Sequence, residues 1–151
     1  MKQPKKDTLT PRLKEVLKEG KKFFKDKLPK VVHREGLDFI SGNFDNEGFR
    51  NQGVQKWPAR KPSKSKKQRA GRSILVDKGH LRRSWELDSN YNQAQVLFQS
   101  SRPYAGVHNE GGQAGRGSGF TMPQRQMIGP SEIMARMIED KLTREMDKII
   151  Y

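Results

Sequence analysis

Ser131-Glu132-Ile133-Met134-Ala135-Arg136-Met137-Ile138-Glu139-Asp140-Lys141-Leu142-Thr143-Arg144-Glu145-Met146-Asp147-Lys148-Ile149-Ile150 reads as one helix. Met134, Ile138, Leu142, Met146 and Ile149 recur at steps of three and four, the period of a single helical face. Ser131 offers a side-chain acceptor to the open N–H groups of the first turn, and Glu132 sets a carboxylate at the positive end of the helix dipole. Pro130 stands just before. Glu132/Arg136 and Asp140/Arg144 are four apart, where opposite charges meet. Ile133, Met134, Met137, Ile138, Leu142, Met146, Ile149 and Ile150 together make a band wider than one stripe. The part that a small sheet leaves uncovered is expected against another subunit, so Met137, Ile138, Ile149 and Ile150 are the candidate assembly surface. The stripe reads as core or interface, not as a cofactor site.

Upstream, the period changes. Trp85 and Leu87 alternate with Glu86 and Asp88; Ala94, Val96 and Phe98 alternate with Gln95, Leu97 and Gln99. Asp88-Ser89-Asn90-Tyr91-Asn92 between them has turn chemistry, so a β-hairpin is predicted with Trp85 inward. Ile74-Leu75-Val76 and Phe120-Thr121-Met122 read as short strands. Gly79 breaks the first of these, and His80 to Ser84 reads as a turn of helix. Pro103 to Gly112 is a short helix or a turn, and Gln113 to Gly119 is expected to be mobile.

At the other end, Thr10-Pro11 is a helix start, an N-cap followed by proline at the first helical position. Leu13, Val16, Leu17, Phe24, Leu28 and Val31 form an apolar stripe behind it. Pro29 either kinks this helix or begins a second, which is expected to run to about Ile40 and end at Ser41-Gly42-Asn43. The expected fold is therefore α+β, with N- and C-terminal helices packed on a small, mainly antiparallel sheet. Residues 1–9 are expected to be a disordered arm, and 10–151 a single domain with a mobile basic loop at about 45–73. Phe44, Phe49 and Trp57 are expected to pin the loop's first part to the core.

The 151 residues carry a net charge of +14, unevenly spread. Residues 1–35 hold 12 Lys/Arg against 5 Asp/Glu, and residues 56–83 hold 11 against 1. Residues 36–55 hold 1 against 3, and residues 84–151 hold 7 against 8, so the C-terminal half is nearly neutral. Lys56, Arg60, Lys61, Lys64, Lys66, Lys67, Arg69 and Arg72 are the candidate contacts to nucleic acid or a partner. Only Trp57 accompanies them, so base stacking is unsupported.

Other chemistry is poorly provided for. With no cysteine, thiol catalysis, disulfides and thiolate metal sites are excluded. His33, His80 and His108 lie far apart and form no paired-ligand motif, so no metal is expected. Gly117-Ser118-Gly119 lacks the nucleophile-elbow pattern, and Gly115-Arg116-Gly117 lacks the context of a dinucleotide fingerprint. Asp77, Glu86 and Asp88 are the carboxylates nearest predicted strands, and alternation puts Glu86 and Asp88 on the solvated face. No cofactor site and no catalytic residue emerges. No run of about 18 apolar residues occurs to cross a membrane, and the basic start Met1-Lys2-Gln3-Pro4-Lys5-Lys6 has no apolar stretch behind it to make a secretory signal.

Four segments in order carry a resemblance. They are Asn43-Phe44 with Gly48-Phe49 and Trp57-Pro58; Ile74 to Ser84; Tyr104-Ala105-Gly106-Val107-His108-Asn109-Glu110-Gly111-Gly112; and Met122-Pro123-Gln124-Arg125-Gln126-Met127-Ile128-Gly129. Over about residues 40 to 150 the chain resembles the phage virion-morphogenesis family, related to the tail-completion protein of Mu-like phages. Met127 stands where family members often carry an aromatic, and methionine can fill the same apolar space. The resemblance implies a structural protein, not an enzyme, that completes the tail or joins it to the head. It implies a self-assembled ring with tail-tube or head-connector proteins as partners, located in the virion or in the host cytoplasm during assembly. The rival readings are a nucleic-acid-binding protein using basic residues of 1–35 and 56–83, and a hydrolase of unrecognised type.

Overall fold

A computed structural model describes residues 10–61, 71–87, 98–117 and 119–151. The expected arm at 1–9, the middle of the basic loop and the turn of the expected hairpin lie outside the described residues.

Helix α1 (Pro11–Lys22) starts as the sequence requires, with the Thr10 hydroxyl accepting from Leu13 N at 3.3 Å. It does not end at proline. A π-helical turn, Phe23–Lys27, carries the chain directly into α2 (Leu28–Asp45). Proline cannot donate to the carbonyl four residues back, and its ring crowds that carbonyl. The wider turn just before Pro29 relieves the clash, so the helical path continues with an adjustment in place of a break.

Helix α2 also outruns its expected end at Ser41-Gly42-Asn43 and continues to Asp45. Gly42 and Asn43 stay helical because Asn43 is drawn into the core by its side chain. The loop that follows is not structureless. Strands β1 (Gly48–Arg50) and β2 (Val54–Lys56) form an antiparallel hairpin, and Trp57 N donates to Glu47 O at 2.8 Å. Phe44, Phe49 and Trp57 are all buried, as anchors should be.

Ile74-Leu75-Val76 is a turn and not a strand, with Leu75 at φ +60°. Side chains take the backbone groups that a strand would have paired: Glu47 Oε1 accepts from Ile74 N, and Arg60 Nη2 donates to Val76 O. Gly79 has φ +72°, the left-handed conformation that glycine adopts at least cost. It leads into a 3-10 turn (Arg82–Ser84) with Leu81 buried and Arg83 exposed.

Strands β3 (Trp85–Leu87) and β4 (Phe98–Ser100) pair antiparallel, with Trp85 opposite Ser100. Trp85 is half-buried against the core and Glu86 is exposed, which is the expected register. The Phe98 ring lies over Gly36 of α2, where any Cβ would strike it, so glycine there lets the hairpin seat on the helix.

Helix α3 (Ala105–Glu110) resolves the helix-or-turn alternative in favour of a helix. The expected mobile segment after it is partly ordered, since β5 (Gly112–Ala114) pairs antiparallel with β6 (Phe120–Met122). The last helix, α4 (Glu132–Ile150), begins where the sequence places it, and Ser131 Oγ accepts from Met134 N at 3.1 Å.

The fold is α+β, with helices at both ends and antiparallel strands between. Among the described residues the strands form three separate two-stranded pairs. The core is Phe39, Ile40, Phe44, Phe49, Trp57, Leu81, Ala105 and Met127. Neither α1 nor α4 contains a buried residue, and the expected stripe of α1 leaves Leu13, Leu17 and Phe24 exposed. No helix of the described residues is long and apolar enough to cross a membrane.

Candidate functional site

The segment from Pro123 to Pro130 joins β6 to α4, and distant elements hold it by polar side chains. From α2, buried Asn43 donates to Met127 O at 2.9 Å. Its other amide atom accepts from Arg50 N and Nε, which also fixes β1. From α3, buried Asn109 accepts from Met127 N at 2.7 Å and Ile128 N at 3.0 Å. From the loop, Trp57 Nε1 donates to Gln126 O at 2.8 Å. Met127 itself is fully buried, so methionine does fill this apolar space.

Arg125 completes the brace. Its buried guanidinium donates to Pro58 O at 2.9 Å and Ala59 O at 3.2 Å, and its backbone N donates to His108 O. A guanidinium carries five donors in a fixed fork, so one side chain satisfies several loop carbonyls at once. Burial lowers the Arg125 pKa, with a smaller contribution from nearby Arg60. Burial likewise lowers the His108 pKa, and Arg125 lowers it further.

Arg50 is a further positioning residue that the sequence reading missed. It donates to Phe39 O at 2.9 Å, and its guanidinium carbon lies 5.0 Å from the Phe39 ring centroid. By sequence Asn43 falls at a helix end, and Asn109 appears only as part of the third motif. Their one sequence signal is their place inside otherwise apolar or glycine-rich motifs.

The basic candidates divide. Lys56 donates to Asn46 O at 2.8 Å, Arg60 to Ser73 O and Val76 O, and Arg72 pairs with Asp77. These three tie the limbs of the loop to the protein itself. Lys61 is exposed, and Lys64, Lys66, Lys67 and Arg69 lie outside the described residues.

On α4, Met137 packs against the core with Ile133 and Met134. Ile138 and Ile149 are half-buried, and Ile150 is 45% exposed. The helix packs against α2 and, less extensively, against α1, which covers part of its wide apolar band within the subunit. Glu132 pairs with Arg136 at 3.6 Å, whereas Asp140 and Arg144 do not meet. Glu145 sits between Lys141 and Lys148; the hydrogen bond from Lys148 lowers its pKa most. Among the described residues no group of three His, Asp or Glu converges as metal ligands.

The model of the phage virion morphogenesis family matches residues 42–147. The chain belongs to the phage virion morphogenesis family. No curated protein and no solved structure matches it. The family match takes in every brace residue, from Asn43 through Trp57 and Asn109 to Arg125. The ordered motifs of this virion-morphogenesis protein thus include the side chains that lock its loop, α3 and the segment before α4 together. Helix α1 and most of α2 lie before the matched region.

Proposed function

We propose that this protein completes the phage tail, or joins tail to head, as a non-enzymatic structural subunit. The observation that carries this reading is the family match over residues 42–147, within which buried Asn43, Asn109 and Arg125 bond the protein's own backbone. A rigid adaptor needs such bracing. The subunits form a ring with heterologous contacts, one face against a different face of the next, on a tail-tube or head-connector partner. Ile138, Ile149 and Ile150 on α4 belong to the ring contact. The nucleic-acid alternative has less support, because Lys56, Arg60 and Arg72 already have partners within the chain.

The test is removal of the gene from the producing phage, followed by electron microscopy of the lysate. Unjoined heads and tails, restored to virions by the wild-type protein, are expected. Normal virions without the protein would sink this reading.

A further inference from the structure

The first helix turns its apolar strip to solvent. Leu13 and Leu17 are 42% and 47% exposed, and Phe24 in the π turn is 54% exposed. With Gly20 they fall at steps of four, three and four, one line along a helix of about 16 Å. A Cβ at Gly20 would meet nothing within 4 Å, so no neighbouring element blocks the strip there. The face that meets α4 is a different one: Arg12, Val16 and Glu19 line a cleft with Lys148 and Ile149. Lys18, Lys21 and Lys25 run beside the strip at the same spacing. All three are exposed, and none makes an ion pair among the described residues.

We propose that this face of α1 is a docking site for an acidic protein partner, one offering an apolar groove rimmed by carboxylates. Charge complementarity selects that occupant. A second copy of this chain holds 12 Lys/Arg against 5 Asp/Glu in residues 1–35 and 11 against 1 in 56–83, and its other segments are nearly neutral, so it has no strongly acidic segment to meet the lysine row. Duplex DNA would match the lysines but leave Leu13, Leu17 and Phe24 without apolar contact. A bilayer favours a broad apolar face, whereas here the strip is narrow and Arg12, Glu15 and Glu19 stand on the same helix. A groove on a protein accepts anchors at i, i+4 and i+11, and Gly20 at i+7 lets its wall come close. This surface lies outside residues 42–147 and goes beyond the assembly reading, on which it rests only for the cells where the partner is sought.

The test places p-benzoylphenylalanine at position 17 of the full chain in cells producing virions. Irradiation is expected to give an adduct with a second protein, mapping by mass spectrometry to a carboxylate-rich segment. The triple variant Lys18→Glu, Lys21→Glu, Lys25→Glu is expected to lower the adduct about tenfold, since rim charges guide such encounters. The corresponding triple arginine variant should keep it. Circular dichroism of each variant checks that the fold is retained. An adduct to another copy or within the same chain, one indifferent to charge reversal, or none at all would overturn the proposal. So would tight binding of the purified chain to phosphatidylglycerol vesicles that Leu17→Asp with Phe24→Asp abolishes. Duplex DNA binding that the triple glutamate variant abolishes, while the double aspartate variant leaves it intact, would overturn it as well. If virions form normally without the protein, the assembly reading fails while the adduct still decides the docking site.

Discussion

The brace around Met127 and the α1–α4 side are built on opposite plans. At the brace, Phe39, Phe44, Phe49, Trp57 and Met127 are buried together, and Asn43, Asn109 and Arg125 are buried among them with their polar atoms engaged. On the α1–α4 side no residue of either helix is buried. Yet α1 and α4 have the plainest helical periodicity in the chain. Amphipathic spacing tells which residues share a face and not how much of that face is covered.

Substitutions can break this comparison. Phe44→Ala should cost about 3–5 kcal/mol, the range for emptying a large aromatic site in a packed core. Urea denaturation measures it, and a loss like that of a surface change would mean that the brace is not the stable half. Asn109→Ala strands the N–H groups of Met127 and Ile128 and should cost about 1–3 kcal/mol. A midpoint equal to wild type would show that water replaces the asparagine.

pH sharpens the comparison. The folded state lowers the His108 pKa, so the native protein binds fewer protons there than the unfolded chain does. Stability should therefore fall as pH drops below histidine's ordinary value of about 6.5, until the lowered folded pKa is passed. His108→Gln should flatten that slope in melting curves. Glu145 on α4 is also lowered, so its contribution holds above the ordinary glutamate value of about 4.3 and is lost as pH falls through the folded pKa. Glu145→Gln should lower stability slightly at neutral pH, leave the slope there unchanged and flatten the acid limb. The smallest effect is expected on α1. Leu17→Ser should stay within about 0.5 kcal/mol of wild type by thermal melting, as exposed positions do. A larger loss would mean that α1 contributes to the fold beyond its open strip.

Local chemistry determined much from the chain alone. Thr10-Pro11 and Ser131 set both helix starts, because caps act within one turn. The alternation around Trp85 and Phe98 set the hairpin register, and the ordered motifs from Asn43 to Gly129 identified the family. Tertiary structure decided what depends on distant partners. Asn43 stays helical, beyond the expected stop, because its amide meets Met127, far along the chain. Ile74-Leu75-Val76 turns because Glu47 and Arg60 claim its backbone. Arg125 binds the carbonyls of Pro58 and Ala59, and no local pattern marks a pairing across so many residues. The same holds for the faces of α1. Its period is written in the sequence, but α4 meets the mixed face of Arg12 and Val16 and leaves Leu13 and Leu17 open, a choice made by how the helices pack.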